Sequence, residues 1–464
     1  MSGPPTEEGH AAPEPTVGVA ALLRQLQRNL VGDGIGAVLA SGAFQATAVA
    51  VLGAAASFVV QIILARAMGQ SAYGAYALAL AFMNAALLIG KLEIDNVGVR
   101  FAGAYAAQRR WSLLRGYLRD SQIATLLTSA VCAILGAVLT WYAFDWLWAK
   151  HPGLPWALWM ACVLLPVTAM LTVHAAFLQG FQKYLSSQLA PNLLRPILLG
   201  VIIFIWWRLA SAHIPPWAGV TANLGASVAA MISAGWMLRR VIPADVRDAP
   251  IERDRADWIR TTSPLLLVSI AQLIISQQAD LIVVGTITDA RNVAEYNAAS
   301  QLTVPLSIVV SSVTFVAQAM IADLYARGDF AGLQALIRAV SRANAVVAAP
   351  VMIVVVLGGH LLLRLYGPAY ASAYPVLIIL MGAQLVIALS GSLAGYLLTM
   401  TRFQGAAAWI IGGAALLNLA LTLVLTPLFG IIGTATATLV AALARGLALT
   451  VFIKRRMGLR VPAF

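Results

Sequence analysis

The chain has 464 residues, of which 61% are hydrophobic and 10% are charged, whereas a soluble domain carries about 25% charged residues. This composition excludes a soluble fold and indicates a chain that crosses a bilayer repeatedly, at about 20 apolar residues per crossing. The net charge of +12 does not predict nucleic-acid binding, because no basic stripe is interleaved with aromatic residues. The five histidines and two cysteines lack metal-ligand or disulfide spacing, so we expect no metal site and no cofactor.

The first 35 residues are acidic and proline-rich at their start and do not have the pattern of a secretory signal. We expect residues 1–35 to form a cytoplasmic tail. Within it, the leucines that follow Val19 recur at helical spacing beside two arginines. This pattern fits either a helix on the membrane surface or a solvated leader.

Twelve apolar runs follow, each bounded by charge, proline or glycine. They lie near residues 43–66, 74–96, 121–145, 154–179, 187–207, 217–238, 264–288, 293–323, 343–365, 372–399, 404–427 and 431–453. Helices satisfy their own backbone groups in lipid, so the sequence predicts an all-α polytopic membrane protein with twelve transmembrane helices. The second and eighth runs are long enough to extend beyond the bilayer as continuous helices.

One densely charged stretch, near residues 239–262, divides the runs six and six. Features before it recur after it at an offset of 219 or 220 residues: Gln61 corresponds to Asp280, and Tyr76 to Tyr296. This pattern predicts two six-helix lobes related by internal duplication. The predicted segments are a tail at 1–35, a first lobe at 36–241, a linker at 242–262, a second lobe at 263–453 and a basic tail at 454–464.

Lysine and arginine are distributed unevenly between the two sides of this topology. With the N-terminus placed inside, the inner connections hold 23 of the 30 basic residues and the outer connections hold five. Because cytoplasmic loops carry the excess of basic residues, we expect both termini and the linker to be cytoplasmic.

Polar side chains follow two of the apolar runs. In the seventh run they are Ser269, Gln272, Ser276 and Asp280, with Gln277 beside them, and in the eighth they are Asn297, Ser300, Ser307, Ser311, Thr314 and Gln318. Such stripes face either a polar cavity or another helix, because facing lipid would leave their polar groups unsatisfied. Asp280 is the one acid well inside a run. It is a candidate for reversible proton or Na⁺ binding, for a salt bridge that closes an outer gate, or for structural pairing with an arginine.

Several cationic side chains lie toward the cytoplasmic side of the spans. They are Lys91, Arg100, Arg195, Arg342 and Arg445. Guanidinium groups suit bidentate phosphate binding, so these residues are candidates for an inward-facing anion site. For Lys91 the alternative is pairing with Asp95 four residues later, and for Arg342 it is snorkelling at the interface.

Four segments carry a family resemblance. They are LARAMGQSAYGAYALA, IDNVGVRFAGAYA, LQGFQKYLSSQLAPNLLRP and DLIVVGTITDARNVAEYNAASQL. They resemble the Wzx-type polysaccharide exporters of the multidrug/oligosaccharidyl-lipid/polysaccharide superfamily, and the resemblance extends over nearly the whole chain from about residue 40. The family pattern places Arg66, Gly69 and Gly74 in the first connection, Arg100 after the second span and Arg195 in the fifth.

The resemblance implies a flippase that moves polyprenyl-diphosphate-linked oligosaccharide across the bacterial inner membrane by alternating access, with no covalent chemistry. The candidate substrate-binding residues are Arg66, Lys91, Arg100, Arg195, Gln272, Gln277, Asn297 and Arg445, and Asp280 is the candidate ion-coupling or gate residue. The implied partners are the lipid-linked oligosaccharide, membrane lipid and the polymerase and export proteins of polysaccharide assembly.

Three alternatives remain at this stage. A cation-coupled multidrug antiporter of the same superfamily shares the fold and differs in its cavity. The peptidoglycan-precursor flippase usually carries two further helices. A membrane polymerase or glycosyltransferase needs a large outer loop for its active site, and the outer connections here are no longer than about a dozen residues.

Overall fold

The computed structural model describes residues 35–209, 213–263, 277–399 and 403–459. The predicted surface helix near Val19 lies outside these residues. We call residues 35–241 the first half and residues 277–457 the second half. The helices of the first half are α1 (Ile35–Met68), α2 (Gln70–Gly90), α3 (Ile94–Ala107), α4 (Trp111–Tyr142), α5 (Phe144–Lys150), α6 (Leu154–Gly180), α7 (Tyr184–Gln188), α8 (Arg195–Leu209) and α9 (Pro216–Val241).

The charged stretch forms two short helices, α10 (Ala244–Asp248) and α11 (255–263). The helices of the second half are α12 (Gln277–Ile287), α13 (Ala290–Gln301), α14 (Val304–Ala326), α15 (Phe330–Tyr366), α16 (Tyr374–Val386), α17 (Ser392–Thr399) and α18 (Gln404–Met457). π-helical turns at Leu189–Leu194 and Ile387–Gly391 join α7 to α8 and α16 to α17. The described residues contain no strand, which confirms the all-α fold.

Nine helical segments of the described chain are long and apolar enough to cross a membrane. One of them, within α18, has an abrupt kink at Gly430, where φ is 60° and ψ is −142°, and Pro427 lies just before it. The 54 residues of α18 would extend roughly 80 Å as one straight helix, far more than a bilayer core. The two arms of α18 are therefore each long enough to span. The total of twelve spans stays a prediction.

The second and eighth runs are not continuous helices, contrary to the sequence prediction. Between α2 and α3 the chain turns at Leu92 and Glu93, whose φ angles of 49° and 56° are left-handed. Between α13 and α14 it turns just before Pro305, which has no backbone N–H to continue the hydrogen-bond ladder.

Two equivalent apolar cores support the internal duplication. In the first half, Leu114 and Leu118 are buried between α3, α4 and α6. In the second half, Leu333 and Ile337, each 219 residues later, are buried in a cluster with α14, α17 and α18. The same positions of the two repeats thus point into the same kind of core.

The two halves meet at one end of the bundle. This end contains the α1–α2, α5–α6, α8–α9, α12–α13 and α15–α16 connections, and α2 packs there against α12 and α13. Gly74 on α2 lies against the backbone carbonyl of Ala290, where any side chain would collide. We call this the closed end, and the end that contains the α3–α4 connection and the linker is the opposite end. The closed end corresponds to the side that the sequence predicts to be outside.

Candidate functional site

Arg195 is the cationic group of a polar cluster in the first half, which we call the Arg195 cluster. Arg195 begins α8, directly after the π-helical turn that contains Pro191. Its guanidinium donates from Nε and Nη2 to Oδ1 of Asn223 on α9, at 3.2 and 3.1 Å. Ser227 donates to the same oxygen at 3.4 Å. The side chain is half-buried, and among the described residues no carboxylate pairs with it.

A buried acidic cluster surrounds Asp280 in the second half. Its side chain is 3% exposed and accepts hydrogen bonds from Tyr296 at 3.1 Å, Asn418 at 3.0 Å and Thr438 at 3.1 Å. These donors come from α13 and from both arms of α18, so the carboxylate links three helical segments. No lysine or arginine within the described ranges forms an ion pair with it.

Two further oxygen atoms on α18 have no hydrogen-bond partner among the residues that the structure describes. They are Oδ1 of Asn418 and Oγ1 of Thr422, which lie four residues apart on the first arm of α18 and are buried. Hard cations prefer carboxylate, carbonyl and hydroxyl oxygens. The Asp280 cluster therefore has the oxygen ligands that suit a monovalent cation or a proton, and the described part of the chain supplies no cationic partner for a salt-bridge gate.

Side-chain hydrogen bonds across the closed end join the two halves. Asn297 donates to the hydroxyl of Tyr73 at 2.9 Å, and Gln70 donates to Glu295 at 2.8 Å. Arg66 donates from Nε to the carbonyl of Leu365 at 2.6 Å. Two predicted substrate residues, Arg66 and Asn297, thus contact the opposite half in this conformation. Whether they also contact substrate stays a prediction.

The α5–α6 connection contributes a second group of contacts at the closed end. Lys150 donates to the carbonyl of Thr286, and Nε2 of His151 lies 2.7 Å from the carbonyl of Gly285. His151 is buried, and this burial lowers the pKa of its imidazole below the ordinary value of 6.5. The neutral ring is therefore the form that fits this contact.

The remaining predicted residues do not join these clusters. Lys91 forms an ion pair with Asp95 at 2.5 Å, which is the pairing alternative derived from the sequence. Arg100 is exposed on α3. Arg445 is half-buried on α18, and its Nε is buried without a partner among the described residues. Gln272, Ser269 and Ser276 lie outside the described residues, as does the side chain of Gln277.

Sequence reasoning missed four residues that complete the two clusters and the closed end. They are Asn223, Asn418, Thr438 and Glu295. The first two were detectable in principle, since an asparagine inside an apolar run is costly in lipid and usually marks an interhelical contact. Glu295 and Thr438 carry no such local signal.

Comparison with solved structures identifies the class of the fold. A multidrug resistance MATE family transporter of the MOP superfamily, in its inward-facing conformation, aligns with a TM-score of 0.69 and 14% identity over 94% of this chain and 98% of the transporter. The lipid II flippase MurJ, in an inward closed conformation, aligns with a TM-score of 0.69 and 13% identity over 88% of this chain and 87% of MurJ. An outward-facing MATE family transporter aligns with a TM-score of 0.59 and 13% identity over 93% and 97%. The chain therefore has the fold of a MOP-superfamily membrane transporter.

The family follows from the sequence itself. The polysaccharide biosynthesis protein family matches residues 39–322, which is more than half of the chain. The chain belongs to this family. No curated protein matches the sequence.

Proposed function

We propose that the protein is a flippase that moves polyprenyl-diphosphate-linked oligosaccharide repeat units from the cytoplasmic to the periplasmic leaflet of the inner membrane. The product serves the synthesis of exopolysaccharide, capsule or O-antigen. The family supports a role in polysaccharide biosynthesis. The fold supports transport across a membrane.

The observation that carries the substrate class is the environment of Arg195. An arginine at membrane depth is costly unless its charge is used. Among the described residues its side-chain hydrogen bonds go to the neutral amide of Asn223, and a guanidinium has five N–H donors. The group therefore retains both charge and donors for a phosphate, which it binds in a bidentate geometry. Arg445 offers a second half-buried cation in the other half.

Transport follows from the relative motion of two six-helix lobes. The two halves are in contact at the closed end, so the substrate enters from the opposite end. The basic connections of the sequence lie at that end, and we therefore assign it to the cytoplasmic side. Entry of the diphosphate toward Arg195 is followed by separation of the closed end, which releases the glycan outside. The Asp280 cluster couples this cycle to an ion, by binding a proton or Na⁺ in one lobe orientation and releasing it in the other.

The test is an analysis of lipid-linked intermediates in cells that lack the gene. The proposal predicts that undecaprenyl-diphosphate-linked repeat units accumulate on the cytoplasmic side and that surface polymer is lost. Expression of the wild-type protein restores polymer, and expression of Arg195→Ala does not. Normal surface polymer in the deletion strain, with no accumulation of the intermediate, would overturn the proposal.

A second candidate, a cation-coupled multidrug antiporter, is favoured by one feature, the buried carboxylate of Asp280. The same deletion strain separates the two functions. An antiporter predicts increased sensitivity to cationic drugs with normal polymer, whereas the flippase predicts the reverse.

A further inference from the structure

A cavity of about 530 Å³ lies at the opposite end, between the start of α4 and the linker helix α11. One side of it is apolar and includes Ile123, Leu127 and Ile259, whose side chains are 46%, 61% and 66% exposed. The other side is charged and carries Arg119, Arg253, Arg255 and Asp120. The cavity is thus amphipathic, and its lining includes no residue of the Arg195 or Asp280 clusters.

On the charged side of the cavity, which we call the rim, Asp120 forms ion pairs with two arginines. Arg253 lies 3.1 Å and Arg255 2.8 Å from its Oδ2. The aspartate is 12% exposed, whereas the two arginines are 45% and 65% exposed. One carboxylate cannot neutralise two guanidinium groups, and Arg119 adds a third cation. The rim therefore keeps a net positive charge and unused N–H donors.

The linker is fixed against α4, so the cavity has a defined shape. Arg115 donates to the carbonyl of Ala249, and the amide of Glu252 donates to the carbonyl of Ser112 at 3.2 Å. Trp258 packs edge-on against Tyr117, with ring centroids 5.2 Å apart. The floor of the cavity is thus built from packed aromatic rings and not from a loose surface segment.

We propose that this cavity binds one anionic diacyl phospholipid of the cytoplasmic leaflet. The phosphate binds Arg253, Arg255 and Arg119, and the acyl chains lie along Ile123 and Leu127 on the lipid-facing side of α4. Two features select this occupant over a soluble anion: the exposed apolar half of the cavity, and the position of the cationic rim directly beside that half. The bound lipid contacts both the linker and the first half. This binding is separate from the proposed transport function.

The test measures lipid retention by native mass spectrometry on delipidated, detergent-purified full-length protein. Dioleoylphosphatidylglycerol is added, with dioleoylphosphatidylcholine as the neutral comparison. We expect one tightly bound phosphatidylglycerol on the wild type. Arg253→Gln combined with Arg255→Gln weakens its binding about thirtyfold, since each basic residue near an anionic lipid contributes a factor of roughly five. A control, Arg109→Gln with Arg110→Gln, removes the same charge from an exposed turn outside the cavity and retains the lipid.

A second variant tests the cavity without removing any charge, so that loss of lipid does not depend on the fold of the charge variant alone. Ala124→Phe fills the apolar half and leaves every arginine in place, and it is expected to lose the lipid as well. Leu126→Phe, at a position on α4 outside the cavity lining, is its matched control. Retention of phosphatidylglycerol by both cavity variants, or equal loss from the Arg109 and Arg110 control, overturns the proposal. Displacement of the lipid by free glycerol 3-phosphate, or by an equimolar amount of undecaprenyl phosphate, assigns the cavity to a different occupant and also overturns it.

Discussion

Asn297 on α13 donates a hydrogen bond to the hydroxyl of Tyr73 on α2, across 2.9 Å, and this contact joins the two halves of the chain. The hydroxyl of Tyr73 donates in turn to Gln61 on α1, also across 2.9 Å. Gln61 is the repeat counterpart of Asp280. In the second repeat this position holds Asp280, which binds an ion in the proposed cycle. In the first repeat it holds Gln61, which contacts Tyr73 and so supports the contact between the two halves.

Asn297→Ala removes the donor and is expected to favour separation of the closed end. Interhelical hydrogen bonds of this kind contribute about 0.6 to 1.7 kcal/mol, which corresponds to a shift of roughly threefold to twentyfold in the opening equilibrium. The measurement is the rate at which an aqueous maleimide labels Ala290→Cys, which is buried at the closed end, in a background without Cys132 and Cys162. Thr221→Ala removes a hydroxyl that bonds only within its own helix and serves as the control. Unchanged labelling in Asn297→Ala would show that this contact does not hold the end closed.

The His151 contact predicts that acid opens the same end. Burial lowers the pKa of His151 below 6.5 in the closed state, and exposure to water restores it. The closed state thus binds fewer protons, so its stability is complete above about pH 6.5 and is lost as the pH falls through the lowered pKa. The labelling rate of the same reporter, divided by that of a cysteine at the exposed position Arg291, should increase at acidic pH, and the ratio removes the effect of the smaller thiolate fraction. His151→Gln can still donate to the Gly285 carbonyl and does not titrate, so an unaltered pH profile in that variant would assign the effect to other groups.

The topology predicts where the linker lies. The basic residues place residue 250 in the cytoplasm, and residue 250 is exposed. In the cysteine-free background, Pro250→Cys should resist a membrane-impermeant reagent in intact spheroplasts and react after lysis. Arg291→Cys, which is exposed at the closed end, should react in both. Labelling of residue 250 in intact spheroplasts would invert the topology and remove the basis for inward entry.

We expect export to require both the positive charge of Arg195 and the planar geometry of its guanidinium N–H donors. Charge-assisted hydrogen bonds contribute about 1.5 to 3 kcal/mol, so we expect Arg195→Ala to reduce export by roughly tenfold to a hundredfold, and Arg195→Lys to restore part of it. Arg208→Ala, in the last turn of the same helix and exposed, is the control. Export is measured as surface polymer at equal membrane levels of each variant. Normal export by Arg195→Ala would exclude this residue from the substrate site.

The sequence predicts local features of this fold well and long-range ones poorly. Leu114 and Leu333 are related by the same 219-residue offset and are both buried, because the apolar pattern of each helix recurs with the repeat. The Lys91–Asp95 pair was available as an alternative because it joins residues one helical turn apart. The contact of Asn297 with Tyr73 joins positions 224 residues apart, and no periodicity encodes such a distance. The breaks in the second and eighth runs were missed because hydropathy does not register a turn inside an apolar stretch.

Asp280 allows a decisive test of ion coupling. A carboxylate at the centre of a membrane helix costs about 2.5 to 3.5 kcal/mol on insertion scales, and among the described residues hydrogen bonds from Tyr296, Asn418 and Thr438 are what offset it. Asp280→Asn preserves size, and the hydroxyl donors can reverse to accept from the new amide. If the charge had no function, this variant would be at least as stable as the wild type and fully active.

Coupling predicts a different outcome. Asp280→Asn should fold and bind lipid-linked substrate but lose the part of transport that responds to an imposed Na⁺ or proton gradient in proteoliposomes. Gln61→Glu, which places an acid at the equivalent position of the first repeat, is the informative partner variant. Combined with Asp280→Asn it should not restore coupling, because Gln61 accepts a hydrogen bond from the hydroxyl of Tyr73 and the oxygen cluster of Asn418 and Thr422 belongs to the second half. Gradient-driven transport by Asp280→Asn at the wild-type rate would eliminate the coupling role, and recovery of gradient response in the double variant would show that any buried acid suffices.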